Sequence, residues 1–287
     1  MFPTFIGIGV PKAGTTWLHE LLATHPDVYV PSRRKELNYF NNKYDQGPAW
    51  YESYFPSEHE EPSYKAVGEI SPLYWSREQV PQRVAGLGSI KQLIVMFRDP
   101  VDRTYSHYKW ARQVGDYRGS FEAFLDRRWG REAGFYCRHL EPYLQFFDRQ
   151  QILVLIHERI FPDIEPAKQT IAEFLGIDAR RFPSDAGKAV VNQGKSIKYR
   201  KAYNVVHHLG WSLRKMGLDR LTNSVKRMGI DRLFGSRDAQ IEPMHDRTRR
   251  QLEQAYAPDV EQLENLLDID LSCWSCRRTE QGRLASR

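Results

Sequence analysis

Residues 5–26 read F-I-G-I-G-V-P-K-A-G-T-T-W-L-H-E-L-L-A-T-H-P, and this stretch decides the fold class. Phe5 to Val10 is a short apolar run of strand length. A glycine-bearing turn follows, and the next segment sets Trp17, Leu18, Leu21 and Leu22 on one helical face before Pro26 stops it. The unit is strand, loop, helix. Working outward, "YKAVGEI" around Val67, "IKQLIVMF" (90–97) and "QILVLIH" (151–157) read as further buried strands. Helical stretches at 103–112, 121–128 and 167–174 lie between or after them. Such alternation predicts an α/β protein with a P-loop-like parallel sheet flanked by helices on both faces. Its ligands would bind at the carboxyl ends of the strands, where the loop at 9–16 lies.

The whole chain bounds what that loop serves. With 287 residues, 41% of them hydrophobic, it can bury one large core, so a single domain over 1–287 is expected, with a domain carrying a C-terminal appendage as the alternative. A net charge of +6 and a pI of about 9.1 favour anionic ligands. No run approaches the roughly 20 apolar residues of a membrane span, and no signal-peptide layout opens the chain, so a cytoplasmic protein is expected. The cysteines are Cys137, Cys273 and Cys276. The C-W-S-C pair has no second Cys/His pair at zinc-site spacing, so the reading is no metal site and reduced thiols, with a terminal disulfide as the alternative. Between Lys188 and Arg227 stand ten Lys/Arg and one acid, Asp219, interleaved with apolar residues such as Val205, Trp211 and Leu218. The region 188–243 is therefore expected to be a basic helical excursion. It is either a solvated face packed on the core or a surface for an anionic partner, including peripheral contact with a membrane. No helix-turn-helix, zinc-finger or RNP pattern supports nucleic acid as that partner.

A glycine-rich turn entering a helix presents free backbone N–H groups and the positive end of the helix dipole, so it favours an anion. The loop departs from the nucleotide-binding pattern G-x-x-x-x-G-K-[ST]: Gly9, Gly14 and Thr16 fit, but Thr15 stands at the lysine position and Lys12 sits inside the turn. From there Lys12 can reach an oxygen bridging two anionic groups and stabilise the charge that develops when the bridge breaks. Magnesium–ATP chemistry would call for a lysine at Thr15.

Pro11 to Trp17 resemble the donor loop P-K-[SAT]-G-T-T-W of sulfotransferases that use 3′-phosphoadenosine 5′-phosphosulfate (PAPS). A second motif agrees: "FRDPVDRTYSHY" (97–108) is similar to that family's 3′-phosphate segment, with Arg98 and Ser106 at its arginine and serine positions. "RKELNYF" (34–40), "AWYESYFP" (49–56), "GEISPLYW" (68–75) and "DIDLSCW" (268–274) extend the resemblance toward bacterial and carbohydrate-type O-sulfotransferases. Two positions depart from it. Ile70 stands where carbohydrate members often carry lysine, and "NQGKSIKYR" (192–200) only loosely matches the loop that closes on the donor.

The resemblance implies PAPS as co-substrate, no required metal, and a hydroxyl-bearing acceptor of glycan, glycolipid or small-alcohol type. Lys12, Ala13, Gly14, Thr15, Thr16, Trp17, Arg98 and Ser106 would then bind the donor, with Trp17 stacking on adenine. Lys12 would also assist the leaving group. Glu36 would be the general base, with Glu69 in reserve. Each has a plain rival: Trp17 as core, Arg98 as partner of Asp99 or Asp102, Glu36 as partner of Lys35 or Arg34, Glu69 as a buried structural carboxylate. The aromatic residues Tyr39, Phe40, Trp50, Tyr51, Tyr74 and Trp75 suit a sugar face, a lipid chain or an ordinary core. The alternatives for the whole chain are a P-loop kinase of a small metabolite and a non-catalytic nucleotide or membrane-surface binding module.

Overall fold

The computed structural model describes residues 2–57, 64–127, 130–188, 196–197, 235–236 and 241–277. Its centre is a five-stranded sheet of β1 (Phe5–Gly9), β2 (Val28–Tyr29), β3 (Ala66–Ile70), β4 (Gln92–Phe97) and β5 (Ile152–Ile156), in the order β2-β3-β1-β4-β5 with every pairing parallel. All five residues of β1 are buried, as a strand covered on both faces requires. The order reverses at β1, so the crevice at the carboxyl edge opens between β1 and β4. Gly9 pairs with Val95, and the Val10 amide donates to the Met96 carbonyl at 3.0 Å. That neighbourhood brings the ends of the two sequence motifs together across about 85 residues of chain.

Helix α1 (Thr15–Ala23) follows the loop with Trp17, Leu18, Leu21 and Leu22 all buried, the face read from the sequence. Short helices α2 (Tyr39–Asn42) and α3 (Gly47–Glu52) precede β3, and α4 (Val80–Gly86) leads into β4. Helix α5 (Pro100–Val114) begins directly after β4. Asp99 caps it by accepting the Val101 and Asp102 amides at 2.9 and 3.2 Å, and Pro100 takes the first position, where no N–H is needed. The carboxylate beside Arg98 is thus committed to the helix start. Helices α6 (Phe121–Leu125), α7 (Tyr136–Leu144), α8 (His157–Ile160) and α9 (Glu165–Leu175) complete the central layers. A two-residue antiparallel pair joins β6 (Ser196–Ile197) to β7 (Gly235–Ser236). The remainder of the basic segment and of the 192–200 loop lies outside the described residues.

The long helix α10 (Asp246–Leu267) packs against α5 and α7 through Leu252, Tyr256, Val260 and Leu263. Asp259 accepts the Cys137 and Arg138 amides at 3.0 and 3.2 Å, satisfying the open N-terminus of α7 from a neighbouring helix. The segment after α10 docks on the end of β4. The Ser275 amide donates to Asp99 at 2.6 Å, Trp274 Nε1 donates to Glu158 at 2.9 Å, and Glu158 also accepts the Asp99 amide. Among the described residues no helix is long and apolar enough to cross a membrane.

Close approach of β1 to β3 depends on Gly68, where an added Cβ would lie 2.5 Å from the Phe5 carbonyl oxygen. Backbone cannot give way as a side chain can. Gly68→Ala is therefore expected to cost about 1–3 kcal/mol, read as a lowered urea midpoint at unchanged m-value.

Candidate active site

The loop between β1 and α1 is held in an unusual path. Lys12 has φ of 74° and Gly14 has φ of 112°, the left-handed region that a β-carbon disfavours. Gly14 meets the need without cost, and an added Cβ there would also lie 2.9 Å from Met96 Cε. The Ala13 amide closes the turn by donating to the Val10 carbonyl at 3.2 Å, so it is spent within the loop. Among the described residues no side chain caps α1, which leaves its first-turn amides, with the buried Thr15 and half-buried Thr16, to an external acceptor.

Arg98 leaves the end of β4 and reaches the loop from the other side of the crevice. Its Nη1 donates to the Lys12 carbonyl at 3.4 Å, while its Nε is buried with no hydrogen-bond partner among the described residues. A buried guanidinium nitrogen in that condition fits an anionic ligand. Ser106 lies on α5 beyond Arg98, half-buried, its hydroxyl without a partner among the described residues.

Lys12 carries the electrostatics of the site. Burial, reinforced by Arg98 and Lys35 and more weakly by Lys109, lowers its ammonium to about 8, while Glu36 opposes the shift. Three cations and one carboxylate therefore act on the loop lysine. Its Nζ also stands 5.7 Å from the ring centroid of Trp110, which is 40% exposed on α5. Lys35 reaches the start of α1: its ammonium donates to Thr16 Oγ1 and pairs with Glu36 at 3.4 Å. Glu36 is half-exposed and has φ of 62°. The rival reading of Glu36 as a partner of Lys35 thus describes a real contact, made inside the site.

Other expected residues fall elsewhere. Trp17 is 2% exposed, packs edge-on to Phe161 at 5.5 Å and donates through Nε1 to the Gly187 carbonyl at 2.9 Å. It offers no open ring face, whereas Phe161 is 40% exposed beside Gly14. Tyr39, Phe40, Tyr51, Tyr74 and Trp75 are core, and of the six aromatic residues only Trp50 is half-buried. Ile70 is buried against Gly7, so this position is apolar and supplies no cation to the site. Glu69 is 1% exposed and lifted by burial to about 7. His107, the neighbour of Ser106 and not itself a candidate, is half-buried, edge-on to Phe124, and lowered to about 3 by burial and by Arg103.

The sequence did not mark Lys35, Lys109, Trp110 or Phe161 as neighbours of the loop. Lys35 was open to detection as the residue before Glu36, but its span to Thr16 is a tertiary fact. Trp110 lies four residues beyond Ser106, one helical turn along the same face.

A family model described as sulfotransferase domain matches residues 3–204. Heparan sulfate glucosamine 3-O-sulfotransferase 3A1 of Mus musculus is 32% identical over 185 residues, covering 61% of this chain and 46% of that protein. Bifunctional heparan sulfate N-deacetylase/N-sulfotransferase 4 of Mus musculus is 30% identical over 204 residues, covering 64% of this chain and 23% of that protein. The chain thus spans less than half the length of these curated relatives. A solved sulfotransferase from Alicyclobacillus acidocaldarius superposes with a TM-score of 0.69 over 96% of this chain and 99% of that one at 23% identity, a likeness of fold.

Proposed function

Because the chain belongs to the sulfotransferase domain family, we propose that it moves a sulfuryl group from PAPS to a hydroxyl of an acceptor, releasing adenosine 3′,5′-bisphosphate. The observation that carries this reading is the convergence on Lys12 of Arg98 from the end of β4 and of the neighbours Lys35 and Glu36 from the segment after β2. In the reaction the acceptor oxygen attacks sulfur as its proton passes to the Glu36 carboxylate. The bond from sulfur to the bridging oxygen breaks, and that oxygen leaves with the 5′-phosphate. Lys12, the Thr15 and Thr16 hydroxyls and the first-turn amides of α1 stabilise the charge that develops there. Lys35, bridging Thr16 and Glu36, sets the base beside the sulfuryl group and supplies a second cation where Ile70 cannot.

Arg98 and Ser106 take the 3′-phosphate, and Phe161 is the open ring beside the loop for the adenine, with Trp17 bracing it from below. Two curated relatives are named for heparan sulfate, and that likeness favours a glycan hydroxyl as acceptor. Trp110, exposed next to Lys12, suits the face of a sugar ring at the mouth of the site. The single-domain reading of 1–287 belongs to the same proposal, since α10 and the segment after it close on the end of β4.

The donor assignment has a direct test in binding. Arg98→Ala removes a charge-assisted contact of about 1.5–3 kcal/mol, so adenosine 3′,5′-bisphosphate should bind about 10- to 150-fold more weakly by calorimetry. The analogue lacking the 3′-phosphate should notice the change far less. Equal losses for both ligands would remove Arg98 from the 3′-phosphate.

A further inference from the structure

Glu36 stands in a segment whose backbone is strained. Both Glu36 (φ 62°) and Asn38 (φ 54°) occupy the left-handed region, and such conformations persist only where surrounding contacts over-determine them. Those contacts converge on one buried side chain. The Leu37 amide donates directly to Glu69 Oε2 at 3.3 Å. The Asn38 amide donates to Ser71 Oγ at 3.0 Å, and Ser71 donates onward to Glu69 Oε2 at 2.6 Å. The Tyr39 and Phe40 amides donate to Tyr74 Oη at 2.8 and 3.4 Å, and Tyr74 donates onward to Glu69 Oε1 at 2.5 Å. Tyr51 Oη from α3 completes the set at 3.4 Å. Four successive amides, of which those of Asn38, Tyr39 and Phe40 stand at the open start of α2, are thus gathered by one carboxylate and two hydroxyl relays.

Resting on the reading of Glu36 as base, we propose that Glu69 is a positioning residue, whose carboxylate acts through Ser71 and Tyr74 to hold residues 37–40 and so fix Glu36 beside Lys12. Glu69 is itself closed to an acceptor: it is buried, and its two oxygens already receive four donors. The strand position of Glu69 matters, because β3 lies next to β1, and residues fixed to its end are fixed relative to the donor loop. Placement of a base is worth much of its effect, and an error of about 1 Å can cost about 100-fold in rate.

The network is also poised to respond to pH. The titratable groups facing Glu69 are Tyr51 and Tyr74, both pushed well above the usual phenol range by burial, so they stay donors while Glu69 titrates near 7. A proton on Glu69 would compete with one of the four donors and slacken the segment. The parent rate should therefore fall as pH drops through about 7. Glu69→Gln imitates the protonated acid.

The test measures single-turnover sulfate transfer and adenosine 3′,5′-bisphosphate binding across pH for Glu69→Gln, Tyr74→Phe, Glu36→Gln and the double variant Glu36→Gln/Glu69→Gln. Retained product binding, within about twofold, certifies the fold of each variant, and Tyr74→Phe cuts a relay without touching the carboxylate. At pH 8, Glu69→Gln should be about 10- to 100-fold slower, with no acid limb near pH 7. The double variant should be no slower than Glu36→Gln alone, because Glu69 acts through the base. Parental rates in Glu69→Gln and Tyr74→Phe beside a crippled Glu36→Gln, or multiplying losses in the double variant, would overturn this proposal alone. A full-rate Glu36→Gln would instead overturn the base assignment on which it rests.

Discussion

Glu36→Gln is expected to slow the single-turnover transfer of sulfate by about 10² to 10⁴ while adenosine 3′,5′-bisphosphate binds as it does to the parent. The substitution keeps the shape of the side chain and can keep its contact with Lys35, which lies 3.4 Å from one carboxylate oxygen. It removes the capacity to take the acceptor's proton. Donor binding should survive because the amides of α1, Arg98 and Ser106 belong to other segments. A variant that loses product affinity and rate together would place Glu36 in the architecture of the donor loop. One that turns over at the parental rate would remove it from the chemistry.

Lys12→Ala should lower the transfer rate by about 10² to 10³, the range for losing one preorganised donor to a developing oxyanion. It should also alter the pH profile in a defined direction. The ammonium must be charged to act, and burial with its cationic neighbours lowers it to about 8 in the free protein. The profile of kcat/KM, which reports the free enzyme, should therefore decline as pH rises above about 8, where Lys12 loses its proton. The anionic donor favours the charged form, so the decline in kcat should lie at higher pH. In Lys12→Ala the alkaline decline should disappear along with most of the rate. An alkaline limb that survives the substitution would belong to another group.

Much of the fold was legible because the informative segments are local. The strand, turn and helix of residues 5–26 announce themselves through a short apolar run, a glycine turn and a 3.6-residue period. Arg98 and Ser106 follow because they ride the end of β4 and the helix that begins there. What escaped notice depends on long-range packing or on interrupted local signals. Helix α10 carries Pro258 and α7 carries Pro142 in their interiors, so their periods read as broken, although partner helices complete both. Strand β2 has two residues, too few to show a period. Trp17 could have been platform or core from its helical face alone, and burial under Phe161 and Gly187 made it core. Glu69 and Glu36 were two acids in similar aromatic contexts. Only the contacts of residues 37–40 with Glu69, Ser71 and Tyr74 separate a carboxylate that faces the loop lysine from one that secures the backbone.

The central claim is transfer of a sulfuryl group from PAPS, and its most direct measurement follows the label. The protein would be incubated with radiolabelled-sulfate PAPS and a mixture of desulfated glycan chains and small alcohols, with chelator present. Parallel reactions would receive ATP and magnesium. The account predicts that label passes to a sulfate ester on an acceptor, one that survives the mild acid in which PAPS loses its sulfate, with one adenosine 3′,5′-bisphosphate released for each sulfate moved, and that ATP is left intact. ATP turnover with magnesium, while PAPS keeps its label before every acceptor, would contradict it.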